Sequence, residues 1–123
     1  MSFSTKVWLI PDMFWPADTA PGVYESHEAI CVLNTALQDC DIDIILYYED
    51  RDPVELPTQV CSAQRTRHIR MDRVLTAQGE NIARGVGYAA LVKCSVPISV
   101  QYTRVDTTQA ANAMMTTMAQ PVD

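Results

Sequence analysis

The chain has 123 residues, 48% of them hydrophobic and 20% charged, with a formal net charge of -6. That is the composition of one globular domain, long enough to bury about two-thirds of its unfolded surface without a disulfide or metal staple. The acidic balance excludes a general polyanion binder, because affinity for nucleic acid rests on neutralising phosphates; no apolar run approaches the ~20 residues of a membrane span.

The opening MSFSTKVWLIPD carries Lys6 and too few apolar residues before Pro11 for a secretory signal. Cys31, Cys40, Cys61 and Cys94 form no C-x-x-C pair, so they read as buried free thiols in a reducing compartment, and the protein is expected to be cytoplasmic. Residues 6–10 make a short strand, with either Trp8 and Ile10 or Val7 and Leu9 inward. Pro11, Pro16 and Pro21-Gly22 break the chain after it. The apolar run Met13-Phe14-Trp15 in that loop either covers an open end of the core or belongs to an interface.

Residues 26–34 form a strand whose second half, Ala29 to Leu33, is apolar on both faces. It is therefore central, or covered by another subunit. Residues 42–48 alternate cleanly, with Ile42, Ile44, Leu46 and Tyr48 on one face. A charged turn follows, then short strands at 59–61 and 66–71, then a polar connection over 74–86. The stretch 87–106 reads as a hairpin with its tight turn at 94–97, its second strand placing Ile98, Val100 and Tyr102 on one face. Beyond Asp106 the period becomes helical: Ala111, Met114, Met115 and Met118 form a stripe, and Asp106 with Gln109 fits a capping box. The expected architecture is an all-β, antiparallel β-sandwich with a short C-terminal helix, in a single domain spanning residues 1–123.

Three constellations could carry chemistry. Ser26-His27-Glu28 with His68 could serve a metal or act as acid and base, but a third ligand of good spacing is missing, and neighbours on a strand point to opposite faces. Arg65, Arg67, His68, Arg70 and Arg73 read as a charge-guarded strand edge or as an anion or polyol site. A nucleic-acid reading is disfavoured because no aromatic residues interleave them. Gln101, Arg104 and Asp106 crowd polar groups at a strand end, where a local salt bridge is the alternative to a binding surface. No nucleophile–base pair, glycine-rich phosphate loop or paired-carboxylate site is in view, so neither enzymatic activity, nor a cofactor, nor a metal is expected.

Several strings resemble the Anabaena sensory rhodopsin transducer family. They are Ser26-His27-Glu28 before Ile30-Cys31-Val32-Leu33-Asn34, Ile45 to Tyr48 before Asp50 and Pro53, and Arg65-x-Arg67-His68-Ile69-Arg70. Pro97-Ile98-x-Val100-Gln101-x-Thr103-Arg104-x-Asp106 and Gln109-Ala110-x-Asn112-Ala113 continue the match in the same order. Residues 12–16 and 75–86 depart from the family pattern. The resemblance implies a β-sandwich assembled as a homotetramer, and one of two roles: a soluble transducer docking on a microbial rhodopsin, or a small-molecule, sugar-type binding domain. A DNA-associated regulator is a third.

The leading expectation is a non-enzymatic small-molecule binding and signalling domain using His27, Glu28, Arg67, His68, Gln101, Arg104 and Asp106. Trp8, Trp15 and Tyr102 are the candidate aromatic platforms for a sugar. Subunit contacts are expected to include the 107–118 helix or the apolar N-terminal loop.

Overall fold

Alternation of apolar and polar side chains dictates most of what the chain builds. A computed structural model describes residues 5–122, and among them it shows ten strands and no helix. The strands are β1 (Val7–Phe14), β2 (His27–Asn34), β3 (Cys40–Tyr48), β4 (Val54–Glu55), β5 (Gln59–Cys61), β6 (Arg65–Arg70), β7 (Gly87–Cys94), β8 (Ser99–Asp106), β9 (Ala113–Met118) and β10 (Gln120–Val122). A large sheet runs β10-β1-β7-β3-β4, with β5 also on β3; a small sheet runs β6-β2-β8-β9.

Every pairing is antiparallel. On β3 Ile42, Ile44 and Leu46 are buried while Asp41 and Asp43 are exposed, and on β7 Tyr88, Ala90 and Val92 are the inward set. Ile30, Val32, Ile69, Val100 and Tyr102 answer them from the small sheet. The sandwich forms because each sheet has one apolar face and the two faces have only each other to exclude water.

Three expectations change. Residues 107–118 are not a helix: after a turn, β9 pairs along β8 from Asp106↔Ala113 to Gln101↔Met118. Asp106 does not cap a helix; its Oδ1 accepts the Thr108 N–H at 2.9 Å and the Thr108 hydroxyl at 2.7 Å, a side-chain-closed turn. The strands of 87–106 are present, but they do not form a hairpin. β7 lies in the large sheet and β8 in the small one, so the turn after Cys94 is a crossing, with Val96 and Ile98 buried along it.

Third, β1 continues through Pro11 to Phe14, with a register irregularity between Ile10 and Met13 where the proline is tolerated. Met13 and Trp15 are buried, so of the two readings of this run the core-covering one holds for them. Trp15 Nε1 donates to the Ser26 carbonyl at 3.2 Å, and the Arg84 guanidinium lies 4.5 Å from the Trp15 ring centroid. Gly85, at φ 71°, comes so near Ala17 that an added Cβ would sit 3.1 Å from the Ala17 Cβ. The 74–86 connection is thereby closed down on the N-terminal loop. The four cysteines are free, and burial pushes the Cys94 thiol up to about 12, far from a reactive thiolate.

Candidate functional site

A carboxylate in the middle of this sandwich organises one end of it. β2 presents Glu28 in the same inward phase as Ile30 and Val32, and its ladder with β8 sets Glu28 opposite Arg104. Glu28 is fully buried. Its Oε1 accepts the Tyr88 hydroxyl of β7 at 2.5 Å. Its Oε2 accepts the Phe14 N–H of β1 at 2.9 Å and the Tyr102 hydroxyl of β8. One carboxylate thus ties two strands of the large sheet to two of the small one.

Arg104 Nε donates to the Tyr102 hydroxyl oxygen at 3.1 Å, and its Nη2 reaches exposed Asp12 at 3.3 Å. Tyr48 stacks on Tyr88 with ring centroids 5.8 Å apart, and Arg51 lies over Tyr48. Burial raises the Glu28 pKa; hydrogen bonds from Tyr102, Tyr88 and Phe14 and the charge of Arg104 oppose this without cancelling it. Burial, with the neighbouring carboxylate, also pushes Tyr88 and Tyr102 well above the ordinary phenol range, so both stay protonated donors. The arrangement can hold a proton or a negative charge between the sheets; it offers no nucleophile. Outside it lies a cleft of about 340 Å³ walled by Asp12, Tyr47, Tyr48, Glu49 and Tyr88.

The residues singled out from the sequence do not form one cluster in the chain. Glu28 and Arg104 come together through Tyr102. His68 and Gln101 flank Cys31 on the outer face of the small sheet, in a row that ends at Met118, over a depression of about 190 Å³. His27 is on that same face at the other end of β2, its Nδ1 2.7 Å from the Glu25 carbonyl. Arg67 sits at the sandwich margin, donating to the Val60 carbonyl and to Gln59 Oε1, each at 2.7 Å. Asp106 is engaged in its own turn, where the Thr108 hydroxyl and amide hold its carboxyl below the ordinary range.

The proposed aromatic platforms are all buried: Tyr102 in the Glu28 network, Trp15 under Arg84, and Trp8 with its Nε1 unpartnered. Tyr88, Asp12 and the Phe14 amide were missed, although an acidic residue in the inward phase of β2 was a signal that donors must converge on it. Among the described residues no group of three or more His, Cys, Asp or Glu side chains is placed to hold a metal ion.

Residues 3–121 match the family model described as Anabaena sensory rhodopsin transducer. The chain belongs to the Anabaena sensory rhodopsin transducer family. Two solved structures are similar to this member of the transducer family. The crystal structure of Thermotoga maritima 1070 is 27% identical with a TM-score of 0.83, covering 94% of this chain and 92% of that one. The Anabaena sensory rhodopsin transducer is 31% identical with a TM-score of 0.72, covering 89% of this chain and 96% of that one. No curated protein sequence matches this transducer-family chain.

Proposed function

We propose that the protein is a non-enzymatic transducer that signals by docking on a microbial rhodopsin through the outer face of its large sheet. The observation that supports this is a row of side chains crossing that face. Leu9 pairs with Leu91 and Leu91 with Ile45, all outward and half-buried. Val7, Ala89 and Tyr47 extend it, and Tyr47 is 41% exposed. Exposed Asp43, Lys93 and Glu55 form its rim. An apolar centre with a charged border is the anatomy of a protein–protein interface, where the centre supplies affinity and the rim supplies register.

The family and the name of its similar structure supply the partner class. Titration calorimetry of the chain against a retinal-loaded microbial rhodopsin in nanodiscs tests the reading. Binding is expected, and Leu91→Asp is expected to weaken it by about tenfold or more. Equal binding by the variant, or none by the wild type, overturns it.

A second reading, binding of a small neutral sugar, has the Tyr47–Tyr48 cleft in its favour. The exposed Tyr47 ring beside Asp12 and Glu49 combines a stacking surface with hydroxyl acceptors, and Tyr48 lines the same cleft. In a thermal-shift panel of sugars, a true ligand raises the melting temperature of the wild type and not of Tyr48→Ala. A panel without a stabilising member removes the reading.

A further inference from the structure

The arginines of β6 and its following turn remain unused by either role. Arg65, Arg67, Arg70 and Arg73 are four of the chain's nine Lys and Arg residues, and the last three line one cleft of about 390 Å³. The cleft opens at the margin of the sandwich, where β5 of the large sheet meets β6 of the small one. Arg70 is neutralised there by a two-pronged pair with Asp72, both contacts at 2.8 Å.

Arg67 is different. Its two hydrogen-bond partners, the Val60 carbonyl and the Gln59 amide oxygen, are neutral. They fix the plane of the guanidinium without cancelling its charge and leave three of its five N–H donors for another acceptor. Among the described residues neither Arg67 nor Arg73 forms an ion pair. In a chain of net charge -6, two uncompensated guanidiniums on one cleft are a local reversal of sign. Pro57, Val74 and Leu75 supply an apolar wall beside them.

We propose that this cleft binds a small multivalent oxyanion, a phosphate- or carboxylate-bearing metabolite. Arg67 is the pre-set fork, Arg73 the second donor that swings onto the ligand, and the Pro57–Leu75 wall covers its uncharged body. A guanidinium already held in place loses little freedom on binding, which favours a compact oxyanion offering two adjacent oxygens over a diffuse polyanion. The volume falls within the ~300–1,000 Å³ of small-molecule sites. A nucleic-acid strand fits worse: no Phe, Tyr or Trp ring lines the cleft for stacking, and Asp72 interrupts the cationic track. The proposal is independent of the docking reading, because it uses neither the outer face of the large sheet nor a rhodopsin.

Inorganic phosphate, glycerol phosphate and citrate are the probes, titrated at a constant ionic strength of about 0.15 M while the arginine Nε–Hε resonances are followed by NMR. At least one probe is expected to shift the Arg67 and Arg73 signals saturably. Arg73→Gln is expected to weaken that binding about tenfold, and Arg51→Gln, at the Tyr48 end, is expected to leave it unchanged. Phosphate and glycerol phosphate acting without citrate identify a phosphate ligand; citrate acting alone identifies a carboxylate. Arg73 makes no side-chain contact that holds the fold, so its variant decides the matter even where Arg67→Gln unfolds. No saturable shift with any probe overturns the proposal. So does undiminished binding by Arg73→Gln, or a duplex DNA oligonucleotide that binds more tightly than every small anion at the same salt.

Discussion

Glu28 is a group that water would normally claim. An ionised carboxylate brought into the core without partners costs several kcal/mol, and here the cost is offset by two phenol hydroxyls and one backbone N–H arriving from three strands. Because burial leaves its pKa raised, the folded protein holds a proton there at pH values where the unfolded chain has released it. The associated stability is therefore fully present below the ordinary carboxylate value of about 4.5 and is lost as pH rises through the raised folded value. Asp72 acts oppositely: burial works to raise it, but the Arg70 hydrogen bonds and charge outweigh burial and lower it, so its contribution is lost as pH falls.

Urea midpoints of wild type and Glu28→Gln, compared from pH 4 to 8, isolate the Glu28 contribution, since Asp72 is common to both. The wild type is expected to lose stability relative to the variant as pH rises, and a difference that stays flat would sink this account of the network. Glu28 and Arg104 were legible in the sequence because strand phase alone places them. Tyr88 and Asp12 were not, because they come from the opposite sheet, Tyr88 to the carboxylate and Asp12 to Arg104, and the pairing of sheets leaves no trace in local periodicity.

β9 shows where local reading stops at the level of the element. Ala111, Met114, Met115 and Met118 have helical spacing, yet a helix of about a dozen residues is marginal by itself, and apart from three methionines the apolar side chains of this stretch are alanines, too small to anchor one. Thr107-Thr108 and Thr116-Thr117 carry β-branched side chains that favour a strand. The free edge of β8 then offered a full ladder of partners, and tertiary pairing decided the outcome. Strands β3 and β6 were legible because their alternation extends over enough residues to exclude a helix, and β2 because a short run apolar on both faces suits a central strand. The crossing after Cys94 was not, since Ser95-Val96-Pro97 would suit a hairpin turn equally well; only the apolar Val96 within it hinted at burial.

For the whole molecule, β9 leaves an unguarded margin. Its residues are all exposed, it carries no charge, and among the described residues no strand pairs with its outer edge. Natural sheets usually protect such an edge with lysine, proline or a bulge. We therefore expect self-association through β9, with the tetramer of the family resemblance as the expected stoichiometry; the buried Met13 and Trp15 no longer argue for it. Sedimentation equilibrium at micromolar concentration should show the oligomer, and Met114→Asp with Met118→Asp should dissociate it at a cost to monomer stability of about 0.5 kcal/mol or less. A wild-type monomer would end the idea. The strand order has a separate consequence, in time rather than in space. The chain changes sheet at six of the nine connections between its described strands, and β1 waits for β10, with Val7 beside Val122. No consecutive half of the sequence contains a finished sheet, so a nascent chain has no complete sheet to fold until β10 has been made. Closure of such distant pairs places folding in the slow, milliseconds-to-seconds class of β-rich domains. Until the last strand docks, β1 lacks its partner on that side, and the two sheets are made together or not at all.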